Sequence, residues 1–159
     1  MKRITTIFNA AVSVACALVF ALLLTTMPGC AKSEGSFQNG DCKATLTGGV
    51  LTMEFEGNAT TGYDWTAEIS ETASNAVELT QDEYKASESN GAVGTGGTHT
   101  FELKGTGKAA GSVTVEFKYA RSWESSDADK TATVELGFDA SGNINSVKYS
   151  CNGVAGNIN

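Results

Sequence analysis

The sequence predicts an all-β fold in which two antiparallel sheets pack face to face. Apolar and polar residues alternate along several short segments, and turn-forming Gly, Ser and Asn residues separate these segments. No helical period of useful length follows residue 30. Alternation with a period of two places the apolar side chains of a strand on one face, which a second sheet must cover.

The N-terminal segment is predicted to be a targeting signal. A basic start is followed by an apolar run over residues 10–24, and Gly29 stands directly before Cys30. This pattern resembles the signal of bacterial lipoproteins, in which the cysteine carries lipid and becomes the mature N-terminus. We predict a signal peptide over residues 1–29, lipidation at Cys30, and attachment through this lipid to a membrane of the cell envelope, facing outside the cytoplasm. The alternative is an uncleaved anchor helix, although the run is short for a span and Pro28 interrupts it.

The mature chain is strongly acidic. It holds all 18 acidic residues and 9 basic ones (11 less Lys2 and Arg3), so its net charge is 9 − 18 = −9. Such a surface repels nucleic acid and anionic headgroups, and we therefore expect no nucleic-acid partner and membrane attachment by lipid alone. Residues 30–40 are small and polar, which predicts a flexible tether. Residues 41–159 have the length of one domain with one core.

Alternating segments extend through this domain, and we predict seven or eight strands. The segments are residues 42–47, 51–56, 63–69, 77–85, 99–103, 113–119, 132–138 and 144–150. Residues 139–143 form a hairpin signal before the last of them, and the residues after Cys151 are expected to fray. This number and spacing of strands are typical of an immunoglobulin-like β-sandwich, with Trp65 at the position of a core tryptophan.

Two cysteines remain in the domain once Cys16 leaves with the signal and Cys30 carries lipid. Cys42 and Cys151 lie near its two ends. Because an exported chain meets an oxidising compartment, we predict a disulfide between them that attaches the C-terminal hairpin to the first strand. Two buried thiols are the alternative.

The domain offers little from which to build a catalytic or metal site. Its single histidine, His99, shares the parity of Phe101 and Leu103, which favours a hydrogen-bonded structural imidazole over a general base. No residues have metal-ligand spacing, and the Gly-rich segment 94–97 lacks the lysine and helix of a phosphate-binding loop. Carboxylates such as Asp82 are expected in solvated turns. We predict no enzymatic activity, no cofactor and no metal.

Three segments carry the most specific patterns in the chain. They read NATTGYDW from Asn58, GTGGTHTFELK from Gly94 and GSVTVEFKYARSWE from Gly111. In content, order and spacing they resemble the three signatures of the chagasin family of cysteine-protease inhibitors. The resemblance covers about residues 50–136.

This resemblance implies a function. Members of the family are immunoglobulin-like sandwiches whose three loops at one end form a wedge that enters the cleft of papain-like cysteine proteases without being cut. The chain is then expected to be a monomeric, reversible and non-covalent inhibitor with a papain-like cysteine protease as its partner. The protease-binding residues that the resemblance implies are Asn58, Thr60, Thr61, Gly62, Tyr63, Gly94, Gly96, Gly97, Arg121 and Trp123.

The residue types suit this role, but several have plainer alternatives. Residues 60–62 are small enough to approach a narrow catalytic slot, and Trp123 is an aromatic anchor of the kind found at binding hot spots. Trp123 could instead belong to the core, and residues 96–97 could be plain linker. Asn58 begins a glycosylation sequon and can also hold a turn through its side chain.

The sequence departs from the family pattern at two positions. Ala59 and Ser122 stand where proline is usual, which leaves more backbone freedom to be lost on binding. Two rival functions stay open. One is an envelope lipoprotein whose immunoglobulin-like domain binds a ligand or protein without inhibiting a protease, and the other is an enzyme with an unrecognised site.

Overall fold

The structure, a computed structural model, describes residues 34–88, 94–108, 111–124 and 130–159. The predicted signal peptide and Cys30 lie outside these residues. Within the described ranges, no helix is long and apolar enough to cross a membrane.

Ten strands account for most of the described chain, and they pair antiparallel throughout. In chain order they are β1 (Gly35–Asn39), β2 (Cys42–Thr47), β3 (Val50–Gly57), β4 (Tyr63–Ile69), β5 (Val77–Ala86), β6 (Gly97–Gly105), β7 (Val113–Arg121), β8 (Lys130–Phe138), β9 (Ile144–Cys151) and β10 (Val154–Ile158). Sheet A has the order β1-β2-β3-β6-β5, and sheet B has the order β10-β9-β8-β7-β4. A 3₁₀ turn at Ala59–Thr61 and one short helix, α1 (Glu71–Ser74), complete the elements of this part. The predicted all-β, two-sheet sandwich is confirmed.

The core lies between the inner faces of the two sheets. Along β3 of sheet A, Leu51, Met53 and Phe55 are fully buried, while the residues between them are half-buried. Along β7 of sheet B, Val115 and Phe117 are buried in the same way. The alternation of residue types in the sequence is therefore the alternation of inner and outer faces.

Trp65 of β4 joins the two sheets at one end of the core. Its indole stacks on Phe55 of sheet A with ring centroids 4.2 Å apart, and only 1% of the residue is exposed. The indole Nε1 donates a hydrogen bond to the backbone oxygen of Glu56 at 3.1 Å. A buried indole needs such a partner, because an unsatisfied N–H would destabilise the core. The predicted core tryptophan is confirmed.

Two edge strands, β1 of sheet A and β10 of sheet B, were not predicted from the sequence. β1 lies within the segment 30–40, predicted as a flexible tether, and β10 lies where fraying was expected, so both expectations were wrong for these strands. Phe37 of β1 stacks on Tyr149 of β9 with centroids 3.7 Å apart. Ile158 of β10 is buried against Gly35 of β1. Besides its backbone pairing with β2 or β9, each strand has one main apolar contact, and a single apolar position does not show as alternation in the sequence.

The predicted hairpin at 139–143 joins β8 to β9. The Asp139 carboxylate accepts hydrogen bonds from the backbone N–H groups of Asn143 and Ser141, at 2.9 and 2.8 Å. These bonds favour the ionised carboxylate and lower the pKa of Asp139, and the largest cause is the bond from the Asn143 backbone. A second hairpin joins β9 to β10 through Asn152 and Gly153, whose φ values are 49° and 81°.

Cys42 and Cys151 meet where β2 begins and β9 ends. Both are buried thiols, and a hydrogen bond between them is the largest cause that raises the pKa of Cys42, followed by burial. The first predicted strand and the C-terminal hairpin are thus adjacent, as the proposed link requires. The structure holds the two residues as free thiols, and the disulfide stays a prediction.

We expect Ile158→Ala to lower the free energy of unfolding by about 2–4 kcal/mol, because removal of this buried side chain leaves a cavity between β10 and β1. Val154→Ala, on the same strand but 47% exposed, should lower it by less than about 1 kcal/mol. Urea denaturation followed by tryptophan fluorescence measures both values. Small and equal effects would mean that β10 frays in solution.

Candidate functional site

Strand register brings three loops to the same end of the sandwich. At the end of β3, Gly57 pairs with Gly97 of β6. At the start of β4, Tyr63 pairs with Arg121 of β7. The segment between Gly57 and Tyr63 crosses from sheet A to sheet B. It therefore lies beside the loop that precedes β6 in sheet A and the loop that follows β7 in sheet B. Loop 1 denotes residues 58–62, loop 2 residues 94–97 and loop 3 residues 121–124.

Asn58 folds loop 1 into a single 3₁₀ turn. Its side-chain oxygen accepts from the backbone N–H and the hydroxyl of Thr60, at 3.2 and 2.6 Å. Its backbone oxygen accepts from the backbone N–H and the hydroxyl of Thr61, at 3.1 and 2.6 Å. Side-chain capping of this kind satisfies the first N–H groups of a helical turn. Both threonines are exposed, and because their hydroxyl protons point into the loop, their hydroxyl oxygens are left to accept bonds from a partner.

Gly62 closes loop 1 in a place that only glycine fits. Its φ is 81°, in the left-handed region. A Cβ at this position would lie 2.2 Å from Cη2 of Trp123, so the edge of the indole lies directly against the glycine. Trp123 is otherwise 68% exposed, which confirms the expectation that it lies on the surface and excludes the core alternative.

A side-chain hydrogen bond joins loop 1 to loop 2. Asn58 Nδ2 donates to the backbone oxygen of Gly94 at 2.9 Å. Gly96 lies close against the end of β3, since a Cβ there would be 2.9 Å from the Gly57 oxygen. Gly94 itself faces open space and has a φ of 81°. Loop 2 is therefore packed at Gly96 and bonded at Gly94, which a plain linker would not be.

Arg121 joins loop 3 to loop 1. Its Nε donates to the backbone oxygen of Thr61 at 3.3 Å, and its guanidinium carbon lies 4.4 Å from the centroid of the Tyr63 ring. Its Nη1 also pairs with the Glu124 carboxylate at 2.8 Å. The Glu124 N–H donates to the Arg121 oxygen at 3.2 Å and closes a four-residue turn. Loop 3 thus presents Trp123 from a turn that is fixed at both ends.

Tyr119 of β7 supports the loops and was not among the predicted site residues. Its hydroxyl accepts the backbone N–H of Asn58 at 3.0 Å. Its ring stacks on Tyr63 with centroids 5.2 Å apart and lies 5.3 Å from Trp65. The alternation along β7 places Tyr119 on the core face with Phe117, but no sequence pattern shows that its hydroxyl reaches loop 1.

His99 lies behind the loops and links both sheets. The residue is 4% exposed, and its ring stacks on Phe101 with centroids 4.3 Å apart. Nδ1 lies 2.9 Å from Oδ1 of Asp64 on β4, and Nε2 lies 2.7 Å from Oδ1 of Asp82 on β5. A hydrogen-bonded structural imidazole was predicted, and the structure agrees. The expectation that Asp82 lies in a solvated turn was wrong.

A β-bulge explains why the sequence misplaced Asp82. The register of β5 against β6 shifts between Leu79 and Gln81. Before the shift, Leu79 pairs with a buried residue of β6. After the shift, Asp82 and Tyr84, which have the opposite parity, pair with buried residues of β6. One inserted residue reverses the faces of every residue that follows, and the alternation of residue types does not show it.

The ten predicted binding residues all lie in these loops or at the strand ends that carry them. In the same part of the chain, and in the rest of the described residues, no three His, Cys, Asp or Glu side chains are grouped to hold a metal ion. The exposed groups of the site are small hydroxyls, backbone, one large aromatic ring and the ion pair of Arg121 with Glu124. This arrangement suits contact with another protein surface better than chemistry on a small substrate.

Comparison with known proteins identifies the family. Residues 46–136, which include all three loops, match the family described as chagasin family peptidase inhibitor I42. The chain belongs to the chagasin family. It is 32% identical over 80 residues to Amoebiasin-1 of Entamoeba histolytica, a stretch that covers 50% of this chain and 72% of the relative. The crystal structure of the cysteine protease inhibitor EhICP2 from the same organism is 27% identical, covers 54% of this chain and 75% of that one, and has a TM-score of 0.46.

The chagasin family consists of peptidase inhibitors and not of enzymes. The expectation that this domain has no enzymatic activity is therefore confirmed by its family. The resemblance that rested on the three loop motifs is confirmed as well, since the matched residues contain all of them.

Proposed function

We propose that this chagasin-family chain is a reversible, non-covalent inhibitor of papain-like cysteine proteases that inserts its three loops into the active-site cleft. The observation that carries the proposal is the fixed arrangement of the loops. Asn58 bonds loop 1 to loop 2, and Arg121 bonds loop 3 to loop 1. The family supplies the class of partner, a peptidase.

Loop 1 suits the centre of the cleft. Thr60 and Thr61 are exposed, small, and able to accept hydrogen bonds there. The turn is closed by the Gly62 N–H, which donates to the Ala59 oxygen at 3.0 Å. Since these backbone groups are already bonded within the loop, the segment does not offer the extended chain that pairs with a protein cleft by main-chain hydrogen bonds. Inhibition is therefore steric, without cleavage of loop 1.

Loop 3 supplies the anchor for one side of the cleft. The Trp123 ring is 68% exposed and one of its edges lies against Gly62, so a large aromatic side chain is held in place and available to a partner. Loop 2 has no side chains at Gly94 and Gly96 that would keep a partner's surface away, and its backbone is held in place because the two glycine oxygens accept hydrogen bonds from Asn58 and Ser87.

The contacts among the loops favour affinity by reducing the entropy lost on binding. Loop 1 is bonded through Asn58 to Gly94 and to Tyr119, and through Thr61 to Arg121. Loops that are already partly ordered dock with a smaller ordering cost, and the remaining backbone freedom is still lost on binding. We propose that the domain acts as a monomer, which light scattering on the purified domain tests directly.

We also propose that the mature protein is attached to a membrane of the cell envelope by lipid on Cys30, outside the cytoplasm. The signal pattern of residues 1–29 supports this location. Metabolic labelling with a fatty acid in a bacterial host should label the wild type and not Cys30→Ser. Equal labelling of the two proteins would remove the proposal.

Inhibition is tested by titrating active papain with the soluble domain that begins at residue 33. We expect stoichiometric loss of activity, full recovery on dilution, and an intact inhibitor by mass spectrometry. A folded domain that inhibits neither papain nor cathepsin L would instead favour an envelope protein whose domain binds another ligand.

Trp123→Ala should raise the inhibition constant about 30-fold, corresponding to a loss of about 2 kcal/mol of binding free energy. Val154→Ala is the control, because this residue is also an exposed large hydrophobic but lies on the strand at the opposite edge of sheet B from loop 1. Its inhibition constant should match the wild type. An unchanged constant for Trp123→Ala, together with a large fall in stability, would assign the tryptophan a structural role.

Ala59→Pro combined with Ser122→Pro should tighten inhibition by about 4- to 30-fold, because each proline removes about 0.4–1 kcal/mol of backbone entropy. The geometry accepts both. Ala59 is the first residue of a 3₁₀ turn after an extended Asn58 (φ −135°, ψ 90°), and Ser122 is the second residue of the turn closed by the Glu124 N–H. An unchanged or higher inhibition constant would refute the role of preorganisation.

We propose that Cys42 and Cys151 form a disulfide in the exported protein, with the two electrons taken by a thiol–disulfide oxidoreductase. Their contact in the structure supports this pairing. Thiol titration of the denatured protein, purified from an oxidising compartment, should find no free thiol in the mature domain, and reduction should cost about 2–4 kcal/mol of stability. Two titratable thiols would contradict the proposal.

A further inference from the structure

His99 has a hydrogen-bonding arrangement that an uncharged ring cannot satisfy. Each ring nitrogen lies within 3 Å of a carboxylate oxygen, Nδ1 at 2.9 Å from Asp64 and Nε2 at 2.7 Å from Asp82. An ionised carboxylate only accepts hydrogen bonds, whereas a neutral imidazole has one nitrogen that donates and one that accepts. Both contacts are favourable together only when both nitrogens carry a proton, as in the imidazolium.

The surroundings of the ring reinforce this requirement. The His99 side chain is 6% exposed, so water has little access to a nitrogen left without a partner, whereas the Asp64 and Asp82 side chains are 55% and 52% exposed and can turn toward solvent. The titratable groups that face the ring from neighbouring strands are these two aspartates and Tyr84, whose ring meets the imidazole edge-on at 6.3 Å. Phe101, stacked on one face, is apolar.

Other charged residues of the adjoining strands belong to the outer faces. Glu54 and Glu56 of β3 pair with Thr100 and Thr98, the two neighbours of His99 whose side chains alternate away from it. Lys85 of β5 also pairs with Thr98. The charge environment on the inner face is therefore that of two carboxylates.

The position of this cluster connects it to the loops. Asp64 follows loop 1 by two residues and belongs to sheet B, while His99 follows loop 2 by two residues and belongs to sheet A. β4 and β5 are the edge strands of their sheets on this side, with no strand pairing between them in the described structure. The His99 ring therefore links the two sheets directly behind the loops. We call its two contacts, with Asp64 and with Asp82, the tie.

We propose that His99, in its doubly protonated form, is a positioning residue that holds loops 1 and 2 in their binding arrangement, so that inhibition is tight at acidic pH and weakens when the ring loses a proton. This inference rests on the proposed inhibition of a cysteine protease. Loss of one proton leaves the lone pair of a ring nitrogen facing a carboxylate. The aspartate that carries this carboxylate then turns away into water. One contact of the tie then opens.

The test compares dissociation constants at about pH 5 and at about pH 8. The ligand is papain whose catalytic cysteine is blocked by a small alkyl group. We expect the wild-type domain to bind about tenfold more weakly at the higher pH, the effect of losing one charge-assisted hydrogen bond. The decisive quantity is the ratio of each variant's constant to the wild-type constant at the same pH, since changes in the protease cancel in it.

Asp82→Asn is the matched variant. Its side-chain amide can donate to a neutral Nε2 while Nδ1–H donates to Asp64, so the tie no longer needs the second proton. Binding should then be close to wild type at the lower pH and about tenfold tighter than wild type at the higher pH. A variant that keeps the wild-type pH profile would overturn the proposal. Asp82→Ala, which removes the contact, should bind about as weakly at both values as the wild type does at the higher pH.

Nuclear magnetic resonance of the free domain tests the positioning role without any protease. We expect imidazole ¹⁵N shifts of the doubly protonated ring at the lower pH, and backbone amide shifts of Thr60, Thr61 and Gly62 that follow the ring titration. Loop amides that do not respond to it would overturn the proposal even if inhibition is observed. Wild-type protein that binds no protease at either pH would remove the proposed function, while the amide shifts would still decide the role of His99.

Discussion

The arrangement of the loops depends on loop 1, where the chain crosses from sheet A to sheet B. Hydrogen bonds of Asn58 fix the conformation of this crossing. Its side-chain oxygen shapes the turn of loop 1, its side-chain nitrogen binds the Gly94 oxygen, and its backbone N–H binds the Tyr119 hydroxyl. Each bond contributes about 0.5–1.5 kcal/mol, and all three share one residue. The turn, the neighbouring loop and the strand below are therefore ordered together.

A series of packed aromatic rings extends from the core to this crossing. Phe55 stacks on Trp65, Trp65 contacts Tyr119, and Tyr119 stacks on Tyr63, with centroid distances of 4.2, 5.3 and 5.2 Å. Arg121 lies over the last ring at 4.4 Å. Planar side chains have few rotatable bonds, so this continuous column limits movement at its upper end. The arginine that binds loop 1 is thereby positioned by packing that begins in the centre of the domain.

The sequence predicted those parts of the fold whose signal is local and strong. Period-two alternation located the eight strands from β2 to β9, and it placed Trp65 in the core because burial follows parity within a strand. It could not locate β1 and β10, which depend on contacts between distant residues such as Phe37 and Tyr149. It also misplaced Asp82, because the bulge in β5 changes parity without changing composition.

The direction of β1 determines at which end of the sandwich the described chain enters the domain. Gly35 pairs with Leu46 and Asn39 pairs with Cys42, which in turn pairs with Phe55 near the loop end of β3. The chain therefore enters the domain at the end of sheet A that lies farthest from the loops. The start of β1 and the three loops therefore lie at opposite ends of the sandwich, separated by the length of the strands. A partner that covers the loops leaves the start of β1 uncovered.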